Sequence, residues 1–258
     1  MIAWSAHLST LFDELPSLDR PAAARAAGIG AVETWWPPAA DPGDWIAAVT
    51  AAGVTAALVN ADGGDLARGD RGYCNDPDRV ADVVRSVVDA LRVALACGGD
   101  TINLLVGRDD GERPRAQQLA AAHDAVRAAA VEAAAMGGRI VVEHLNAVDV
   151  TGPLVATPAE AAAFVAAVDH PSVMVLFDAY HCARAGLEPA VEFTRVADVV
   201  GHVQYADSPG RGAPGTGTID LAAFVEHIDR CGYSGHVGLE FGAEGATVEA
   251  LGALPALP

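Results

Sequence analysis

Eight short runs of β-forming residues recur along the chain, each followed by a segment that reads as helix or shaped loop. The runs are IAWSAHL (2–8), AVETWW (31–36), TAALVN (55–60), TINLLVG (101–107), RIVVEHLN (139–146), VMVLFD (173–178), VVGHVQYAD (199–207) and HVGLEF (236–241). The clearest helix signal is residues 80–95, where Val80, Val83, Val84, Val87, Val88, Leu91, Ala94 and Leu95 follow i, i+3, i+4, i+7 spacing. The other intervening segments are rich in alanine, 55 of 258 residues, which favours helix while blurring the periodicity. Gly28, Gly53, Gly98-Gly99 and Gly137-Gly138 stand where helices should stop before the next strand. Asp41-Pro42 and Thr157-Pro158 have the form of an N-cap with proline at the first helical position.

Dividing the 258 residues by eight gives about 32 per unit, near the ~30 of a βαβ repeat, with no shift in composition to mark a linker. The sequence therefore predicts one α/β domain over 1–258, a single (β/α)8 TIM barrel. A doubly wound open sheet is the alternative, but its dinucleotide fingerprint is missing. Gly28-Ile29-Gly30 precedes a strand instead of following one, and Glu33 stands at the third glycine position.

Barrel active sites lie at the carboxyl ends of the strands. The last four runs each carry an oxygen-bearing side chain there: Glu143, Asp178, Gln204 and Glu240. Three carboxylates in an apolar barrel mouth need pairing or a metal. Three carboxylates and one amide oxygen suit a hard divalent cation, Mg²⁺ or Mn²⁺, better than zinc. His181, three residues after Asp178, and Arg211, in the Gly/Pro-rich stretch SPGRGAPGTGTID, are candidates for substrate contact. Asn60, Asn103 and Asn146 also end strands, where turn chemistry competes with a site role. Glu33, beside Trp35 and Trp36, is left open between rim and support.

Charge narrows the chemistry. All 16 cations are arginine, against 34 acidic residues, for a net charge of −18. The absence of lysine excludes Schiff-base enzymes and GxxxxGK[ST] phosphate loops. The acidic excess argues against nucleic acid and against an anionic membrane surface as partners. Cys74, Cys97, Cys182 and Cys231 form no CxxC, so buried thiols are expected rather than a zinc or disulfide framework. Without a basic, apolar leader at residues 1–16 or a long apolar stretch, a cytoplasmic enzyme is expected. The alanine-rich helices are compatible with a homo-oligomer.

FDAYHCAR (177–184), GHVQYADSPGRGAPGTGTID (201–220) and GLEF (238–241) resemble the hydroxypyruvate isomerase family, within the xylose isomerase-like sugar isomerase and epimerase barrels. SAHLSTLF (5–12), GDLARGDRG (64–72), INLLVG (102–107) and VEHLNAVDVTG (142–152) extend the likeness over nearly the whole chain. The resemblance implies a metal-dependent isomerase that interconverts hydroxypyruvate and 2-hydroxy-3-oxopropanoate (tartronate semialdehyde) through a cis-enediolate. It implies Glu143 and Glu240 as acid/base pair and metal ligands, Asp178 and Gln204 as further ligands, and His181 and Arg211 as substrate contacts. Alternatives are a ketose 3-epimerase, a four-carbon keto-acid isomerase of the 3-dehydrotetronate type, or a sugar or keto-acid binding barrel without catalysis. Three departures from the family pattern bear on substrate identity: His7 in place of an asparagine, His144 in place of a proline, and FGAEG after Glu240 in place of a basic segment.

Overall fold

In a computed structural model, which describes residues 2–36 and 41–255, all eight runs form parallel strands. They are β1 (Ala3–His7), β2 (Ala31–Thr34), β3 (Thr55–Asn60), β4 (Thr101–Asn103), β5 (Arg139–Glu143), β6 (Val173–Asp178), β7 (Val200–Tyr205) and β8 (His236–Leu239). Each pairs with its sequence neighbour, and β8 returns to β1 through the register Ala3↔His236 to Ala6↔Leu239, closing the barrel.

The helices outside the barrel are α1 (Arg20–Ala26), α2 (Pro42–Ala52), α3 (Val80–Ala96), α4 (Arg115–Ala135), α5 (Pro158–Val168), α6 (Ala179–Arg184), α7 (Pro189–Val196), α8 (Leu221–Arg230) and α9 (Thr247–Leu251). Their ends follow the sequence signals. Asp41 accepts from Gly43 N at 2.7 Å, Thr157 accepts from Glu160 N at 3.2 Å, and Gly53 closes α2 at φ +67°. The long helix α4 buries Ala122, Ala125, Val126, Ala129, Ala130 and Ala133 at helical spacing. Its apolar face is made largely of alanine and its outer face carries alanine too, so no hydrophobic contrast marked it in the sequence.

Two boundaries differ from expectation. The fourth run spans 101–107 in the sequence, yet β4 ends at Asn103. Leu104 still donates to Val141 O at 2.9 Å, but Val106 O then accepts from Cys74 N at 3.0 Å and Gly107 turns at φ +128°. The apolar tail of that run is buried by a loop instead of a neighbouring strand. After β6, the chain makes two short helices, α6 and α7, separated by Gly186 at φ +79°. The final stretch contains the short helix α9, and residues 256–258 lie outside the described region.

The strand period of two sets the barrel interior. Leu58, Val141 and Leu176 form an apolar layer, and two residues further along the same strands stand Asn60, Glu143 and Asp178. The carboxyl end of the barrel is therefore polar and its lower layer apolar. No helix among the described residues is long and apolar enough to cross a membrane.

Candidate active site

The side chains at the ends of β5 to β8 meet at the barrel mouth. Glu143, Asp178, Gln204 and Glu240 are all buried, none more than 6% exposed. A cavity of about 400 Å³ opens over them, lined among others by Glu143, Glu240, His181, Arg211, Trp35, Asn60, Arg71 and Asp149.

Each carboxylate has its own support. Glu143 Oε2 accepts from Asn103 Nδ2 at 2.7 Å. Asp178 is the N-cap of α6 and accepts from His181 N at 3.1 Å. Glu240 Oε1 accepts from Trp35 Nε1 at 3.0 Å and forms an ion pair with Arg211 Nη2 at 2.9 Å. Burial, with the neighbouring charges of Glu240 and Asp178, holds the Glu143 carboxyl well above the usual carboxylate range. Three buried carboxylates thus share one arginine, an excess of negative charge that costs on the order of several kcal/mol unless protons or a cation offset it.

The residues fit a divalent cation. Glu143, Asp178 and His181 bring one ligand-type atom each within 4.8 Å of one another. Gln204 donates its Nε2 to Glu33 Oε2 at 2.8 Å, which leaves its Oε1 buried without a partner. A buried amide oxygen with no hydrogen-bond partner, together with the carboxylates of Glu143 and Asp178, supplies hard oxygen donors of the kind a divalent cation takes.

His181 takes a different part. Its Nδ1 accepts from Asn146 N at 3.1 Å and faces Asn146 Nδ2 at 2.7 Å. The Asn146 amide is itself oriented, because its Oδ1 accepts from Val148 N and Asp149 N. The proton of the neutral ring therefore sits on Nε2, 3.6 Å from Glu143 Oε1 and 3.9 Å from Asp178 Oδ2. Burial, reinforced by the Arg211 charge, depresses the ring to about 3, so it stays neutral and faces the cavity as a donor. That arrangement suits a substrate contact better than a metal ligand.

Arg211 stands in the left-handed region at φ +54°, in a loop organised by Asp207. The Asp207 carboxylate accepts from the backbone N–H groups of Ser208, Gly215, Gly217 and Ile219 at 2.8–3.0 Å. A Cβ on Gly217 would run into Ser208 O and the Asp207 carboxylate. The loop is pinned at Asp207 and again at Gly242, whose N–H donates to Arg211 O at 2.9 Å, and the Arg211 guanidinium reaches Glu240.

Asn103 and Asn146 serve the site as orienting groups and Asn60 lines the cavity. The His7 ring lies 5.6 Å from Trp35, with Nε2 4.0 Å from Glu240, and His144 Nε2 accepts from Asp178 N at 3.4 Å. His7 thus stands next to the Glu240 carboxylate, whereas His144 touches the backbone of Asp178. Three lining residues escaped the sequence reading: Trp35, Asp149 and Arg71. Asp149 ties Tyr180 at 2.5 Å and Arg184 at 3.1 Å. Arg71 uses Nη1 on the carbonyls of Asp70 and Leu66 and makes no ion pair among the described residues. Its only signal was membership of GDLARGDRG, the loop after β3.

Comparison with known proteins bears on the fold and the family. The family model for xylose isomerase-like TIM barrels matches residues 21–257. A putative hydroxypyruvate isomerase of Streptomyces coelicolor is 38% identical, over 92% of this chain and 90% of the relative. A 2-oxo-tetronate isomerase of Cupriavidus necator is 33% identical, over 98% of this chain and 97% of its own. A crystal structure described as AP endonuclease, family 2, from Brucella melitensis superposes with a TM-score of 0.92 at 30% identity, covering 97% of each chain. With its closed eight-stranded barrel, the chain belongs to the xylose isomerase-like TIM barrel family, among the isomerases related to hydroxypyruvate isomerase.

Proposed function

We propose that this protein is a metal-dependent isomerase of small α-hydroxy keto acids, interconverting hydroxypyruvate and 2-hydroxy-3-oxopropanoate. The observation that carries the reading is the pair of buried glutamates, Glu143 and Glu240, lining one cavity together with two arginines, Arg71 and Arg211. Glu143, Asp178, Gln204 and Glu240 would hold one Mg²⁺ or Mn²⁺, which when bound supplies a positive charge against the negative charge that develops on the substrate oxygens.

The chain's own residues do the rest. One glutamate takes the C–H proton beside the carbonyl, the other returns a proton to the neighbouring carbon of the enediolate, and the hydroxyl proton passes from one substrate oxygen to the other. His181 Nε2–H and the Arg211 guanidinium bind substrate oxygens, and Trp35 with Asn103 keeps the two carboxylates aimed. Two arginines in the lining of the cavity support an anionic substrate over a neutral sugar.

A four-carbon keto acid is the second reading. A cavity of about 400 Å³ exceeds what a three-carbon acid fills, and the Cupriavidus necator relative carries the name 2-oxo-tetronate isomerase. A nuclease reading finds no support in the net charge of −18.

The test is to strip metal from the purified protein, add back Mg²⁺, Mn²⁺, Co²⁺ or Zn²⁺ singly, and compare turnover of hydroxypyruvate, four-carbon keto acids and ketoses. Restoration by Mg²⁺ or Mn²⁺ with preference for a keto acid is expected. Full metal-independent turnover, or unimpaired turnover in Glu143→Gln or Glu240→Gln, would overturn the proposal.

A further inference from the structure

Glu33, on β2, is fully buried inside the barrel beneath the carboxylate cluster, and none of the chemistry above uses it. Its Oε1 accepts from Ser5 Oγ at 2.5 Å and from His202 Nε2 at 2.8 Å, and its Oε2 accepts from Gln204 Nε2 at 2.8 Å. The carboxylate thus joins β1, β2 and β7 across the barrel interior. β8 makes room for it, because a Cβ on Gly238 would collide with both Glu33 oxygens.

These contacts decide which way the Gln204 amide faces. With its NH₂ on Glu33, the amide leaves its oxygen buried and without a partner, on β7 next to Asp178 in register. The opposite orientation would set the amide oxygen against a carboxylate oxygen, acceptor against acceptor, and aim an NH₂ at the place where a cation belongs. The hydroxyl of Ser5 and the ring of His202 hold Glu33 in turn, so the carboxylate cannot swing away to accommodate a flipped amide.

We propose that Glu33 is a positioning residue for the metal: through its hydrogen bond to Gln204 Nε2 it fixes the Gln204 amide with Oε1 presented as a ligand. The inference rests on the metal reading of the site given above. It differs from a purely structural role because it ties Glu33 to cation affinity rather than to folding alone.

The experiment measures the Mn²⁺ dissociation constant by calorimetry, on metal-free protein, for the native sequence, Glu33→Gln, Gln204→Glu and the exchanged pair Glu33→Gln/Gln204→Glu, with a melting curve of each in the metal-free state. Glu33→Gln is expected to weaken Mn²⁺ by about 10- to 100-fold, the range usual for loss of a group that orients a metal ligand. Gln204→Glu sets two carboxylates face to face and should weaken it as well. The exchanged pair restores a donor opposite an acceptor and should bind at least about tenfold tighter than Gln204→Glu alone. Equal Mn²⁺ affinity in the native protein and in folded Glu33→Gln would overturn the positioning role while leaving the metal reading intact. Absence of Mn²⁺ and Mg²⁺ binding to the native protein would overturn the metal reading and this inference with it.

Should Glu33→Gln fail to fold, the side-chain amide signals of Gln204 in the native protein decide the matter by NMR. Signals already shifted by a carboxylate acceptor in the metal-free state, and keeping that hydrogen bond when Mg²⁺ is added, are expected. A freely rotating Gln204 amide in the metal-free state would refute the proposal.

Discussion

At the level of single residues, the two arginines of the cavity are not equivalent. Arg211 is already committed to Glu240 at 2.9 Å, whereas Arg71 is tied only to backbone carbonyls. Arg71 is then the cation with capacity left for a substrate carboxylate. Arg71→Ala should raise KM for keto acids by about tenfold or more and leave turnover of any neutral ketose nearly unchanged, a split that steady-state kinetics on paired substrates would reveal. An equal loss on both substrates would assign Arg71 to loop structure instead. The strand-end acids were legible in the sequence because the alternation of strand residues puts every second side chain inward, and an acid at that position is conspicuous. Arg71 was not legible, because a loop arginine carries no periodicity that would say what it faces. Glu33 was visible as a residue but not as a partner, since its contacts come from β1 and β7, far away in sequence.

At the level of elements, the loop after β7 behaves as a unit hung on Asp207. Four backbone N–H groups between Ser208 and Ile219 converge on that one carboxylate, and Gly212 pairs back to Asp207 and across to Gly242. Replacing Asp207 by alanine removes all four acceptor contacts and frees Arg211 to leave Glu240. Because misplacing a catalytic contact by about 1 Å can cost about 100-fold, kcat/KM should drop by about 10- to 100-fold. The melting temperature should fall as well, because four backbone N–H groups lose their acceptor, and limited proteolysis should cut within 208–219 sooner than in the native protein. Gly and Pro content revealed this stretch as a shaped loop, but its four-way anchor could not be read from sequence, because the donors are spread over twelve positions. The fourth run shows the complementary limit. Leu104 and Val106 are as apolar as strand residues, yet they are buried by a loop whose arrival depends on Cys74, thirty residues earlier in the chain.

At the level of the whole molecule, folding places histidines where they cannot take up protons. Burial, and then the neighbouring His181, depress His144 from its ordinary 6.5 to about 3, with partial opposition from Asp178. Between those values the unfolded chain binds a proton that the folded chain refuses, so stability increases with pH across this window and is lost as pH falls through it. Each such histidine contributes up to about 1.4 kcal/mol per pH unit. Denaturant midpoints of the metal-free protein should therefore fall steadily from pH 6.5 toward pH 4, and His144→Gln should flatten part of that slope; a midpoint that does not change with pH would contradict the assignment. The closed barrel itself was legible from the count of alternations and the glycine stops, since β8 returning to β1 is the arrangement that eight β-helix units of this length make available.

The Glu240–Arg211 pair has one further consequence. Glu240 is an internal competitor: its carboxylate already occupies the guanidinium that an incoming acid must approach. In the proposed reaction, the affinity of any keto acid for Arg211 is a difference between two carboxylates contending for one arginine. The same exchange strips Glu240 of its ionic partner while Trp35 still holds its oxygen in place, so arrival of the correct anion and release of the base from its arginine become a single event.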